Sequence, residues 1–144
     1  MLTNTAATIY NVHTDPDTGK TDYRRTVIPA VHWEDIAGSS TSGTSHPSAN
    51  SASIFIPFYA QDSMSRKYVP PVDYADMTDE ERDKHRTLGK GDLIIKGEIP
   101  DEITPESGGI KKFSYLHNDA VTVQNILTAD YGSYAMRHWE VTAV

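Results

Sequence analysis

A chain of 144 residues with 38% hydrophobic content can bury one core without staples, and the lack of cysteine excludes disulfides, thiolate nucleophiles, iron–sulfur clusters and cysteine-based zinc sites. A formal net charge of −7 is wrong for a protein that clamps duplex DNA by neutralising phosphates, though it suits a surface past which DNA must slide. No apolar run approaches the length of a membrane span, and the N-terminal M-L-T-N-T-A-A-T has no basic stretch leading into an apolar one, so we expect a protein made and kept in a cytoplasm.

In chain order, Thr5 to His13 alternates as a strand does, with Thr8, Tyr10 and Val12 on one side and Ile9 on the other. H-T-D-P-D-T-G-K-T-D follows, dense in turn formers: Pro16 presets φ, Asp15 and Asp17 cap backbone amides, and Gly19 tolerates a left-handed residue. Tyr23 to Glu34 is the returning strand of a hairpin, and Pro29, which has no amide to donate, requires a bulge or an edge there. Residues 36–51 are small and polar with almost no apolar anchor, which predicts a flexible loop or arm.

Ser53 to Phe58 reads as a third strand ended by Pro57. Residues 59–90 form an insertion, irregular at first and extended at Pro70-Pro71. It ends in a short surface helix from Thr78 to about Leu88, whose Thr78 and Glu81 have capping-box spacing. Lys90 to Pro100 holds the apolar run Leu93-Ile94-Ile95 between glycines and a proline, and is predicted as the central strand. Ile110, Phe113 and Leu116 fall on one side of a short helix. Val121 to Leu127 is a strand, Asp130 to Ser133 a turn, and Met136 to Val144 a last strand with Arg137, Trp139, Val141 and Ala143 on one face. About six antiparallel strands predict a mostly β fold in a single domain over residues 1–144: a small antiparallel β-barrel or sandwich with one short inserted helix and long loops.

Chemistry-bearing patterns are sparse. His-Trp-Glu occurs twice, at His32-Trp33-Glu34 and His138-Trp139-Glu140. Residues two apart share a strand face, so in-register pairing of these strands would gather two imidazoles and two carboxylates. His32, Glu34, His138 and Glu140 are therefore candidate zinc or manganese ligands; otherwise each Trp anchors the core and each His and Glu faces solvent. Asp17-Thr18-Gly19 matches an aspartic-protease tripeptide but sits in a turn instead of after an apolar strand. Asp15, Asp17 and Gly19 lack the downstream glutamate of a calcium loop. Lys90-Gly91-Asp92 lacks phosphate-loop spacing, and no serine occupies a nucleophile elbow. The pairs Arg24-Arg25, Arg66-Lys67 and Lys111-Lys112 read as solvated faces or interface contacts. No catalytic centre and no cofactor are expected, and the enzyme alternative rests on the two His-Trp-Glu strands.

Taken in order, A-T-I-Y-N (Ala7 to Asn11), R-R-T-V-I and V-H-W-E-D (within Arg24 to Asp35), S-I-F-I-P-F, G-D-L-I-I-K-G-E-I (Gly91 to Ile99) and D-Y-G-S-Y-A-M-R-H-W-E-V (Asp130 to Val141) resemble a family of small structural proteins of tailed bacteriophages and prophages of Gram-positive hosts. The layout is also similar to head-closure proteins of long-tailed phages, in which an N-terminal strand pair, a long loop, a G-D-x-I central strand and a last strand pair make a small β-barrel. The resemblance implies a neck component, an adaptor, stopper or tail-joining ring, assembled in the host cytoplasm and resident in the virion. Its implied partners are further copies of itself, portal or adaptor proteins on one side, and tail-tube or tail-terminator proteins on the other, with DNA passing unread. It also implies an assembly or channel loop at Gly38, Ser39, Ser40, Thr41, Ser42, Gly43, Thr44, Ser45 and His46. The alternative within the structural class is a tail terminator or minor capsid protein. Subunits of such rings join through exposed strand edges and loops.

Overall fold

The computed structural model describes residues 2–36, 51–62 and 64–144. Six strands close into an antiparallel barrel in the order β1-β2-β3-β8-β7-β6. The hairpin comes first: β1 (Thr5–Thr14) pairs with β2 (Thr21–Asp35) nearly throughout, from Ala7 opposite Ile28 to Thr14 opposite Thr21. At Pro29 the ladder slips, since Thr5 pairs with Val31 and Ala7 with Ile28, setting Pro29 and Ala30 against Ala6 alone. That is a β-bulge, and it disposes of the missing proline amide as the sequence required.

β3 (Ala52–Pro57) is flanked by β2 and by β8 (His138–Ala143), and β7 (Val121–Ala129) joins β8 to β6 (Leu93–Lys96). β6 then pairs back onto β1 and closes the ring. The interior is filled by Ala7, Ile9, Ile28, Val31, Trp33, Ile54, Ile56, Ile94, Val121, Val123, Trp139 and Val141. A barrel of this strand number has room for side chains only, so its interior is a core and not a pore.

A second core lies outside the barrel wall. α3 (Gly109–Leu116) lays Phe113 over Tyr10, Ile95 and Ile103, with the Tyr10 and Phe113 rings edge to face at 4.8 Å. Ile94 faces the barrel interior and Ile95 this outer core, which is why Leu93-Ile94-Ile95 is an unbroken apolar run: both faces of the strand are covered there. Among the described residues no such helix lies on the outer face around Phe55.

The insertion differs from its sequence reading. Pro71 opens a helix, α1 (Pro71–Asp76), because a proline at the first helical position surrenders an amide that has no partner anyway. The expected helix from Thr78 shrinks to one turn, α2 (Asp79–Arg82), although its capping box forms as the spacing demands. It stops because His85–Arg86 (β5) leaves to pair in parallel with Lys67–Tyr68 (β4), a contact between segments too distant in sequence for periodicity to report. Leu88, placed at the end of a surface helix by its sequence, is buried in the main core. Barrel closure also removes the exposed strand edges expected of a ring subunit from the barrel itself.

Candidate functional site

The two His-Trp-Glu tripeptides are one strand removed from each other, because β3 lies between β2 and β8. Trp33 and Trp139 point into the core while the histidines and glutamates face outward. Each His holds its own Glu: His32 Nε2 lies 2.9 Å from Glu34 Oε1, and His138 Nε2 lies 3.0 Å from Glu140 Oε1. Phe55 of β3 stands between the two pairs, its centroid 5.6 Å from the His32 ring and 5.7 Å from the His138 ring, stacked on the latter. The Phe55 ring fills the space between the two imidazoles, and each Nε2 is held by the glutamate of its own strand, so the four side chains do not converge on one point. Among the described residues no group of three or more His, Cys, Asp or Glu could hold a metal ion. The four candidate ligands thus share a face without making a common site. The loop residues from Gly38 to His46 lie outside the described residues.

A groove of about 770 Å³ lies at the end of the barrel where β3, β7 and β8 meet the insertion. Its floor is Trp139, clasped by Phe58 at 4.3 Å and Tyr68 at 4.4 Å between ring centroids. Pro70, Pro71 and Tyr134 form walls, and the charged lining is Arg66, Lys67 and Arg86 against a single acid, Asp130. Next to it, the β7–β8 connection exposes large apolar side chains: Tyr131 is 72% exposed, Tyr134 60% and Met136 58%. Isolated exposed apolar residues need no explanation; these three lie together beside one aromatic groove.

The cations of this groove are not equivalent. Arg86 donates from Nε to Asp62 Oδ2 at 2.9 Å, and the Asp62 side chain is fully buried. Asp62 Oδ1 also accepts from the Met64 and Arg66 amides at 2.7 and 3.0 Å, so this carboxylate organises the whole turn of chain after β3. Arg66 donates to the Arg25 carbonyl at 2.6 Å, the Thr26 hydroxyl at 2.8 Å and the Asp83 carbonyl at 3.1 Å, pinning the insertion to β2. Lys67 alone projects as an exposed cation. The pairs Arg24-Arg25 and Arg66-Lys67, read from sequence as solvated faces or contacts, thus include internal ties: Arg24 bridges Asp22 and Asp83, and Arg25 Nε donates to the Ile99 carbonyl.

Asp92, next in chain to Gly91 and its left-handed φ of +92°, is buried and accepts three hydrogen bonds. The donors are the Val12 amide at 3.0 Å, the Gly89 amide at 2.9 Å and Asn11 Nδ2 at 2.9 Å. Asn11 also exchanges two bonds with the Thr87 backbone, so one buried network ties the central strand's approach to the hairpin. Burial outweighs these donors and pushes the Asp92 carboxyl up to about 6. Sequence reasoning missed Asn11, Asp62, Arg66, Arg86 and Asp92 as structural polar groups. Each acts across tens of residues, and the only local signal was Asp92 beside two glycines.

No helix among the described residues is long and apolar enough to cross a membrane. No curated protein and no solved structure matches the chain. A family model does match, over residues 2–144, and the chain belongs to DUF6751, a family of unknown function.

Proposed function

We propose that this chain is a non-enzymatic structural protein of a tailed-phage neck, a head-closure or stopper-type subunit. In this role it forms a homo-oligomeric ring that joins portal or adaptor to tail and surrounds the passing DNA. The observation that carries the proposal is the groove floored by Trp139 with Tyr131, Tyr134 and Met136 exposed beside it. That is unburied apolar area gathered in one place, where a neighbouring subunit would cover it. Two further features support it. The chain's motifs resemble those of small phage structural proteins along nearly its whole length, and a net charge of −7 disfavours adhesion of DNA to its surface.

The barrel interior is packed, so the DNA channel of such an assembly is the hole of the ring and not the lumen of a subunit. With barrel edges consumed by closure, assembly proceeds through side-chain surfaces and projecting hairpins. Disruption of the gene in a phage that encodes it tests the role. Heads that lose their DNA or fail to join free tails are expected; normal yields of joined, infectious particles would contradict it.

A further inference from the structure

We propose that the Trp139 groove receives the tip of the β1–β2 hairpin from a second copy of this chain. The proposal rests on the reading of the protein as a self-assembling neck subunit and names the surfaces that meet.

The hairpin is built to project. β6 pairs with β1 only as far as Tyr10 opposite Leu93, while β1 and β2 stay paired to Thr14 opposite Thr21, so the ribbon runs on past β6, flanked by Asp79, Asp83 and the 103–106 loop and exposed from Pro16 to Lys20. Its tip is held in one shape. Asp15 Oδ1 accepts from the Asp17 amide at 2.8 Å, and the Asp15 carbonyl accepts from the Gly19 amide at 2.8 Å, with Gly19 at φ +70°. A preformed tip loses little conformational freedom on docking. It presents the exposed ring of Pro16 and the exposed carboxylate of Asp17.

The groove offers the complement. Tyr68 and Tyr134 supply aromatic surface for a proline ring, and Lys67 is the one groove cation not engaged in holding the insertion together. Two copies of a chain with net charge −7 repel at long range, so a contact between them is favourable where opposite charges face each other locally. A net-positive groove and an acidic tip meet that condition. Tip and groove lie on different elements of one chain, so a subunit that gives its tip to one neighbour keeps its groove for another. That contact is heterologous, and it closes into a ring where its rotation divides a full turn without a rise along the axis.

The test uses the full chain in low-salt buffer, where an exposed ion pair is least screened, with self-association read by sedimentation velocity. Asp15 is left alone because it shapes the tip, as are Arg66 and Arg86 because they hold the insertion. Lys67→Glu and Asp17→Lys, each with unchanged far-UV circular dichroism, are expected to weaken association about tenfold, the size of one ion pair at the edge of an interface. The double variant Asp17→Lys/Lys67→Glu is expected to recover it. An oligomer that forms in the wild type and is indifferent to both single substitutions overturns the tip-in-groove contact while leaving the ring proposal standing. A wild type that stays monomeric at every concentration overturns both.

Discussion

At Asp92 a carboxylate is held in the interior by three donors and no cation. Its carboxyl titrates near 6 in the folded protein against an ordinary value of 3.8. The folded state therefore keeps a proton that the unfolded state has lost between those two values. The contribution is full below about pH 4, falls as pH rises to about 6, and is constant beyond. Two pH units correspond to about 3 kcal/mol. Asp92→Asn removes this dependence, so the stability gap between wild type and variant should change by about that much between pH 4 and 6, as read by urea unfolding at a series of pH values. Parallel curves would show that Asp92 is not titrating there. Asp79 and Glu81, both lowered by hydrogen bonds at the start of α2, act in the opposite sense and at lower pH, so the two effects separate. None of this was legible at the level of single residues. Asp92 stood out in a failed phosphate-loop match and in the G-D-x-I pattern, neither of which names its partners: Asn11 and Val12 are some eighty residues away.

Secondary-structure elements were legible where their cause is local. The hairpin turn, the bulge forced by Pro29 and the capping box at Thr78 each depend on residues within a few positions of one another. Alternation in the last strand likewise put Trp139, Val141 and Ala143 on one face, and that face is the buried one. What the pattern could not show is where the insertion goes, since its shape comes from Asp62 and Arg86, 24 residues apart and bonded in the interior. Arg86→Met leaves the buried Asp62 charge uncompensated and should cost about 3–5 kcal/mol, measured by chemical denaturation. Lys67→Met, one groove residue away from that network, should stay within about 0.5 kcal/mol of wild type. Equal losses at the two positions would mean that the ion pair does not organise the insertion. Thr78→Ala removes half of the capping box and should cost about 1 kcal/mol, with faster amide exchange at Glu81 and Arg82 as its local signature.

On the scale of the whole molecule, closure of the barrel changes what the sequence implied about assembly. Alternating strands with turn signals pointed to a barrel or sandwich, and the two differ chiefly in whether β6 returns to β1. That pairing, Ala7–Lys96 to Tyr10–Leu93, joins segments almost ninety residues apart and leaves no trace in local periodicity. Closure also decides the fate of the repeated His-Trp-Glu: because β3 intervenes, the repeat gives two core tryptophans and two separate outward His–Glu pairs around Phe55. Among the described residues the surface left over is a hairpin tip held by its own hydrogen bonds, an aromatic groove and the outer sheet face around Phe55, with the filled interior apart from all three. On the proposed reading, a protein built this way acts by fitting against neighbours.

That claim is tested most directly by reconstructing the neck of an intact phage particle by electron cryomicroscopy. Density for this barrel, repeated around the DNA channel between portal and tail, is the predicted result. A complete neck reconstruction in which every ring is accounted for by other chains, with this protein absent from purified virions, would contradict it.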